Sequence, residues 1–416
     1  MVRGARRRGT AMVWTGAVAL AAGSVVAGGS AVAATAHHVS RSSEKPVLIG
    51  LATPLTGGDP SEGKSEAQIA KDAIAYINAH GGIDGRKAEL VVRDTGGVSP
   101  SGAVSSFESL ASAGVAVVLG EWTSTNFQAA CSVAASEKTV LIGHAAETQG
   151  LTRGKPYCFR DEYQVNQQSG AMFELAKHFG WSKVAVAADT TTFGQAENDS
   201  WKATAAHYGV KIVTDVTWNS PASTLTAQAL QLGHSGAQAV FVGSGSGPDV
   251  TLLAKTMVEN GVKLPIMGNG GINAPGVATA AGSSYDALPA VYNLTSYDAA
   301  DPAEAQFMAE ISKQTGIVQG GGNPSRMWGL FQIAAAGLRK SGGQGGPALI
   351  SALQSLGKLH ILSGGPGSYV YYTKAHHSGL FGPHMLSVYK WSPAKKAFVI
   401  DQQLSVLANK APGVGS

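Results

Sequence analysis

The chain has 416 residues, enough for two or three domains with substantial cores. Hydrophobic residues make up 44% and charged residues 14%, which excludes a disordered chain and a charge-dense nucleic-acid binder. The formal net charge of +4 is accounted for by Arg3, Arg6, Arg7 and Arg8; beyond them the chain is neutral overall, and no basic surface for nucleic acid or lipid is indicated.

Residues 1–36 read as a signal peptide. The four arginines form its positive start, Ala11–Gly29 is apolar, and Ala31-Val32-Ala33 or Ala34-Thr35-Ala36 supplies a small-residue cleavage site. An apolar stretch of about 19 residues is also just long enough for a membrane anchor. Its Ala and Gly content and the cleavage pattern favour removal. Arg7-Arg8 is compatible with a twin-arginine export route. No cysteine stands beside the cleavage site, so a lipid anchor is not expected. Residues 37–45 read as a linker.

From there the chain alternates short apolar strands with amphipathic helices. Strand Val47–Leu51 is followed by a helix over Gly63–Ala79, whose apolar Ala70, Ala73, Ile74 and Ile77 recur at the helical period, and Gly81 stops it. Strand Ala88–Arg93 leads to Ser99-Pro100, a cap followed by proline at the first helical position, and then to the buried stripe Ala103, Phe107, Leu110, Ala111. Val115–Leu119 is a continuous apolar run, as a strand covered on both faces requires. A helix over Ser124–Ser136 and strand Val140–Ile142 complete this half.

The second half repeats the order. Helix Asn166–Phe179, strand Lys183–Ala188, helix Gly194–Tyr208 and strand Lys211–Val216 come first. Helix Thr224–Leu232, strand Ala239–Val242, helix Asp249–Asn260 and strand Leu264–Met267 follow. This alternation predicts parallel sheets with right-handed crossovers. Helices are then expected over Ala303–Thr315, Met327–Lys340 and Pro347–Leu356. Short strands Tyr369–Tyr372, Met385–Trp391 and Phe398–Gln402 form a β-rich end.

In open parallel sheets a ligand sits beyond the carboxyl ends of the strands. The loops there hold most of the Gly, Ser and Thr outside the linkers, and each feeds a helix N-terminus, which favours an anion such as a carboxylate. The richest is Glu121-Trp122-Thr123-Ser124-Thr125. Its hydroxyls bind a ligand or cap the next helix, and both roles are compatible at one helix mouth. Glu62, Glu121 and Glu147 are acids expected to face the cleft, where one of them would pair with a ligand ammonium; the alternative for each is a solvated loop carboxylate. Trp122, Tyr163 and Phe193 are candidates for an apolar wall, or for core. Cys131 and Cys158 form either a disulfide or two buried thiols.

No complete catalytic set accompanies these loops. Gly243-Ser244-Gly245-Ser246-Gly247 follows a strand but lacks the dinucleotide spacing. A pairing of Ser124 with His144 has no nucleophile elbow or metal cluster beside it. An enzyme is therefore not expected, and no cofactor or metal is called for.

Three segments taken together carry a resemblance: Pro54-Leu55-Thr56-Gly57; Ala75-Tyr76-Ile77-Asn78-Ala79-His80-Gly81-Gly82-Ile83-Asp84-Gly85; and Leu90-Val91-Val92-Arg93-Asp94. With Leu151-Thr152-Arg153-Gly154 before Phe159-Arg160, Thr191-Thr192-Phe193-Gly194, and Leu264-Pro265-Ile266-Met267-Gly268, the chain over about 46–402 resembles the type I periplasmic binding proteins. It is most similar to the leucine/isoleucine/valine-binding branch that serves ABC importers. The resemblance implies an α/β fold of two Rossmann-like lobes with parallel sheets joined by three crossover strands. It places residues 46–162 with 296–365 in one lobe, 163–295 with 366–405 in the other, and a flexible tail at 406–416.

The family's ligand contacts fall here on Ser124, on Ala146 and Glu147, and on Phe193, where tyrosine is usual. Its first-loop aromatic falls on Glu62, and its ammonium-binding acid falls on Asn269-Gly270. With Thr123, Trp122, Gly245 and Ser246 these make up the expected ligand site. The implied function is an exported solute-binding protein, periplasmic or at the cell surface. It would bind a small polar ligand, a branched-chain or other amino acid, by hinge closure and deliver it to an ABC permease as a monomer. The departures at Glu62, Glu147 and Asn269 leave open a sensor of amides, urea-like or cationic molecules.

Overall fold

The computed structural model describes residues 45–58, 60–273, 275–296, 309 and 323–415. The signal peptide and nearly all of the helix expected over Ala303–Thr315 lie outside the described residues.

The first sheet is all parallel, in the order β2-β1-β3-β4-β5. Its strands are β1 (Val47–Thr53), β2 (Ala88–Asp94), β3 (Val117–Gly120), β4 (Val140–Gly143) and β5 (Cys158–Arg160), with α1 (Pro60–Ala79), α2 (Pro100–Ser112) and α3 (Ser124–Val133) between them. The period-two alternation of buried strands sorts the side chains onto two faces. Ile49, Leu51, Val117, Leu119, Val140 and Ile142 enter one core. Ala52, Val118 and Leu141 enter another, with Phe107, Leu110 and Phe127.

The chain then leaves for a second sheet, in the order β15-β14-β10-β9-β8-β6-β7. It contains α4 (Val165–His178), β6 (Lys183–Asp189), α5 (Thr192–Ala205), β7 (Lys211–Trp218), α6 (Thr226–Gly233), β8 (Ala239–Gly243), α7 (Gly247–Glu259), β9 (Ile266–Gly268), α8 (Pro275–Ala287) and β10 (Val291–Thr295). Here Val184, Val186 and Phe241 join the core that also reaches the first sheet. Ala185, Ala187, Val240 and Val242 face a separate one with Leu253 and Met257. The last two strands, β14 (Ser387–Ser392) and β15 (Ala397–Ile400), pair antiparallel, so this sheet is mixed.

After β10 the chain returns: α9 (Asn323–Lys340) packs on α1, β3 and β4, and α10 (Gly346–Gln354) packs on α9 and β4. A small antiparallel sheet follows, β11 (Leu359–His360), β12 (Tyr369–Val370) and β13 (Leu380–Phe381). It sits at the open edge of β5, where Ser378 bridges Arg160 and the Tyr372 hydroxyl donates to the Arg160 carbonyl at 3.1 Å. Residues 366–381, expected with the second lobe, therefore cover the first sheet, because the edge of β5 needs a partner. The chain crosses between sheets three times: after β5, after β10, and between β13 and β14.

Two further expectations change. The strand expected over Phe398–Gln402 ends at Ile400, because Asp401 accepts from the Leu404 N–H at 3.0 Å and starts α11 (Gln402–Ala408). The expected flexible tail at 406–416 instead begins inside this helix and runs on as turns to 415, with Ala408 and Ala411 buried in the core. α1 also begins earlier than expected. Gly63 lets its first turn press against the chain just past β1: a Cβ there would stand 2.0 Å from the Pro54 carbonyl oxygen. This places Ser61 and Glu62 on a helix end.

Candidate functional site

The carboxyl ends of both sheets face one cavity of about 460 Å³. From the first lobe it is lined by Glu62, by Trp122, Thr123 and Ser124 at the start of α3, and by Ala145 and Glu147 after β4. From the second lobe come Phe193 at the start of α5, Gly245 after β8, and Asn269 after β9. Eight of the ten expected ligand residues thus meet in one place. Ala146 and Ser246 stand behind the wall. Ala146 is fully buried and its carbonyl accepts from Arg160, and Ser246 caps α7 by accepting from the Asp249 N–H.

Local chemistry explains why the loops hold this shape. Thr123 caps α3, accepting from the Asn126 N–H at 3.2 Å. Its neighbour Ser124 accepts from the Thr148 N–H at 3.1 Å, which leaves its own O–H to donate. In the second lobe Asp189 gathers two loops. One carboxylate oxygen accepts from the Ser244 hydroxyl at 2.7 Å and the Gly245 N–H at 2.8 Å, and the other from the Thr191 N–H at 3.0 Å. The glycine-rich loop after β8 is therefore folded around a carboxylate of the chain itself. Cys131 on α3 and Cys158 on β5 are joined by a disulfide that ties the site helix to its sheet.

The main departure from expectation is Arg326 on α9, which lines the cavity although it is 4% exposed. Its guanidinium lies 3.0 Å from Glu147 and 2.7 Å from Glu162, and its Nε donates to the Ser296 hydroxyl at 3.0 Å. Ser296 in turn donates to Glu162 at 3.1 Å. Glu147 is therefore already paired. Burial raises its pKa, Arg326 pulls it back, and Glu162 raises it again, with a net rise. Burial also works against the charge on Arg326, but Glu162, Tyr163 and Glu147 outweigh it and raise its pKa. Glu162 and Ser296 both stand where the chain crosses between sheets, so Arg326 links the site to two crossovers.

Beneath this floor lies a set of buried ionisable groups. His144 donates from Nε2 to one Glu66 carboxylate oxygen at 2.8 Å, and the Thr53 hydroxyl donates to the other at 2.5 Å. The imidazole is thus engaged by Glu66 and does not line the cavity with Ser124. Glu121, expected in the cleft, is buried below it, where burial pushes its pKa up to about 8 against a partial offset from Asn126. Asp161 is pushed up to about 7 by burial and by Glu162. Glu197, one turn after Phe193, is fully buried; burial and then Glu147 raise its pKa well above the carboxylate range, with Asn269 opposing. Tyr163 belongs to the core rather than the wall, its hydroxyl accepting from Gln168 at 2.9 Å. Among the described residues no cluster of metal-ligating side chains occurs.

A sequence profile of the periplasmic binding protein family matches residues 46–395. The chain belongs to that family. Among curated relatives of this binding protein is Leu/Ile/Val-binding protein homolog 1 of Brucella abortus (strain 2308). It is 29% identical over 273 residues, covering 64% of this chain and 70% of the relative. The leucine binding protein LivK of Thermotoga maritima superposes with a TM-score of 0.75 at 17% identity, covering 85% of this chain and 97% of that one. A fatty acid ABC transporter substrate-binding protein of Thermomonospora curvata gives a TM-score of 0.73 at 22% identity, covering 89% and 96%. At these identities the two structures share the fold; family and neighbours alike are binding proteins rather than enzymes. No described helix is long and apolar enough to cross a membrane.

Proposed function

We propose that this chain is the extracytoplasmic solute-binding component of an ABC importer, and that its ligand is a small molecule with a carboxylate, amino acids first among them. The observation that carries this is the single cavity at the carboxyl ends of both sheets, with Ser124 and the N-terminus of α3 at one wall and Phe193 at the other. A ligand carboxylate would accept from the Ser124 hydroxyl and face the positive end of α3. An ammonium would meet Glu62, since Glu147, the other acid in the lining, is held by Arg326. Relatives whose names specify leucine, isoleucine and valine support this order of candidates. Delivery to a permease, with closure of the lobes around the ligand, follows from the family reading. The sensor alternative has no comparable support.

The test is calorimetric titration of the exported form with each standard amino acid, repeated on Ser124→Ala. Binding by wild type and a loss of about tenfold in the variant, the value of one hydrogen bond to a charged group, is expected. Equal affinity in both proteins, with unchanged circular dichroism, would remove Ser124 from the site.

A further inference from the structure

The cavity is not confined to the loops. One wall runs along α7, where Gly247, Pro248, Thr251, Leu252 and Lys255 lie on the same helical face, and it is met by Val277 on α8. The opposite face of α7, with Val250, Leu253, Ala254 and Met257, is buried in the core, so the helix cannot turn away from the cavity. From Gly247 to Lys255 the helix rises about 12 Å, more than two turns. The α7 wall alone is therefore longer than a leucine side chain. The first lobe touches this arm of the cavity at one point: a Cβ at Gly276 would stand 2.9 Å from the Ser61 hydroxyl of α1. The total volume of about 460 Å³ lies in the range of sites for drug-sized ligands, roughly 300–1,000 Å³.

The arm's chemistry is ordered. Along its length it offers Leu252, Val277 and Ala280, and at its outer end the lining includes Lys255, which is exposed. Among the described residues Lys255 has no carboxylate within ion-pair distance. An apolar corridor between a hydroxyl-bearing helix N-terminus and a lone ammonium fits an elongated molecule with a polar group at each end.

We propose that the α7–α8 arm selects an elongated ligand, with an apolar chain along Leu252, Val277 and Ala280 and a terminal anionic group on Lys255. This rests on the reading above that the cavity holds the transported ligand, and it narrows the class to linear acids with a second acidic end. A chain that grows along the arm gains about fourfold in affinity per buried methylene. It stops gaining when the chain fills the arm. A second carboxylate that reaches Lys255 adds a further gain, of roughly a few-fold for an exposed pair.

The test is calorimetric titration of two homologous series, butanoate to dodecanoate and succinate to dodecanedioate, on wild type, Leu252→Trp and Lys255→Gln. Leu252 is only partly buried, so the tryptophan occupies the arm with little call on the core. Expected is an affinity that climbs with chain length in wild type and is flat in Leu252→Trp. The preference for the longer diacids over the matching monoacids should be lost in Lys255→Gln. An affinity independent of length, or a length dependence that survives Leu252→Trp, overturns the proposal. If the standard amino acids bind and neither series does, the proposal fails and the solute-binding reading stands. If nothing in either panel binds, both fall.

Discussion

Arg326 holds together two carboxylates that could not otherwise share a dry site. Glu147 and Glu162 both lie within 3.0 Å of its guanidinium, and all three side chains are almost fully buried. Removing one member of such a set strands the others, which costs about 3–5 kcal/mol. Arg326→Met is therefore expected to lower the melting temperature by roughly 10 °C. Arg326→Lys, which keeps the charge but not the fork that also reaches Ser296, should fall between. Thermal denaturation followed by circular dichroism decides it, and an unchanged midpoint in Arg326→Met would refute the pairing. The same floor sets a pH dependence. Burial lifts Glu121 to about 8 and Asp161 to about 7, both far above the values of an unfolded chain. Between those limits the folded state binds more protons than the unfolded one, so stability falls as pH rises from about 4 to 8. His144 acts in the same sense: although burial lowers its pKa, Glu66 more than offsets this, and the resulting stabilisation is lost as pH rises. Urea midpoints should be higher at pH 5.5 than at pH 8.5, and Glu121→Gln should flatten the difference. A midpoint that rises with pH would show that these acids are ionised and paired.

At the scale of elements, the disulfide pins α3 to β5 while the Thr123 cap shapes the helix end that reaches the cavity. The two supports are separate. Closing a loop of 27 residues restricts the unfolded chain by about 3.5 kcal/mol in the chain-entropy account. Cys131→Ser with Cys158→Ser should therefore lower the unfolding free energy from urea titration by about that much and change ligand affinity only a few-fold. A collapse of affinity at unchanged stability would reverse the assignment. The strand–loop–helix order that places α3, α5 and α7 around the cavity was readable, because each strand is a continuous apolar run and each helix has a period or a cap. Hence the loops that carry Thr123, Ser124 and Phe193 are legible in the sequence pattern, whereas Asn269 is singled out only by the family resemblance. Arg326 was not readable, since nothing local distinguishes it from any arginine at a helix start; its partners lie 179 and 164 residues away. The α7–α8 arm was hidden for a related reason. It is built from helix faces, and α8 is so rich in Ala, Gly and Ser that its buried stripe of Val277, Ala281 and Tyr285 has little contrast. β5 has three residues, too few to show alternation.

For the molecule as a whole, three hydrogen bonds between the two lobes converge on one residue beside the cavity. The Thr192 N–H donates to the Thr125 hydroxyl at 3.2 Å, its own hydroxyl donates to Gln128 at 3.1 Å, and its carbonyl accepts from the Thr148 hydroxyl at 3.3 Å. Thr192 opens α5 in the second lobe, and its three partners belong to the first, two of them on α3 itself. All three bonds exist only while the lobes face each other, and in an open form every one of these groups would turn to water. In the closure proposed above, they would bias the lobes toward the closed form without a change in the core of either lobe. Each is worth about 0.5–1.5 kcal/mol net, so together they shift an open–closed equilibrium by roughly tenfold to a thousandfold. A protein already biased toward closure binds its ligand more tightly by the fraction of closed form it recovers. Thr125→Val with Thr148→Val and Thr192→Ala should thus weaken every ligand in proportion, acting mainly on dissociation. Small-angle scattering of the unliganded variant should give a larger radius of gyration than wild type, and saturating ligand should bring the two together. The melting temperature of the unliganded form should move little, because neither lobe loses buried apolar surface. If the radius is the same in both proteins while affinity falls, Thr192 acts on the ligand pocket directly and the closure argument is wrong.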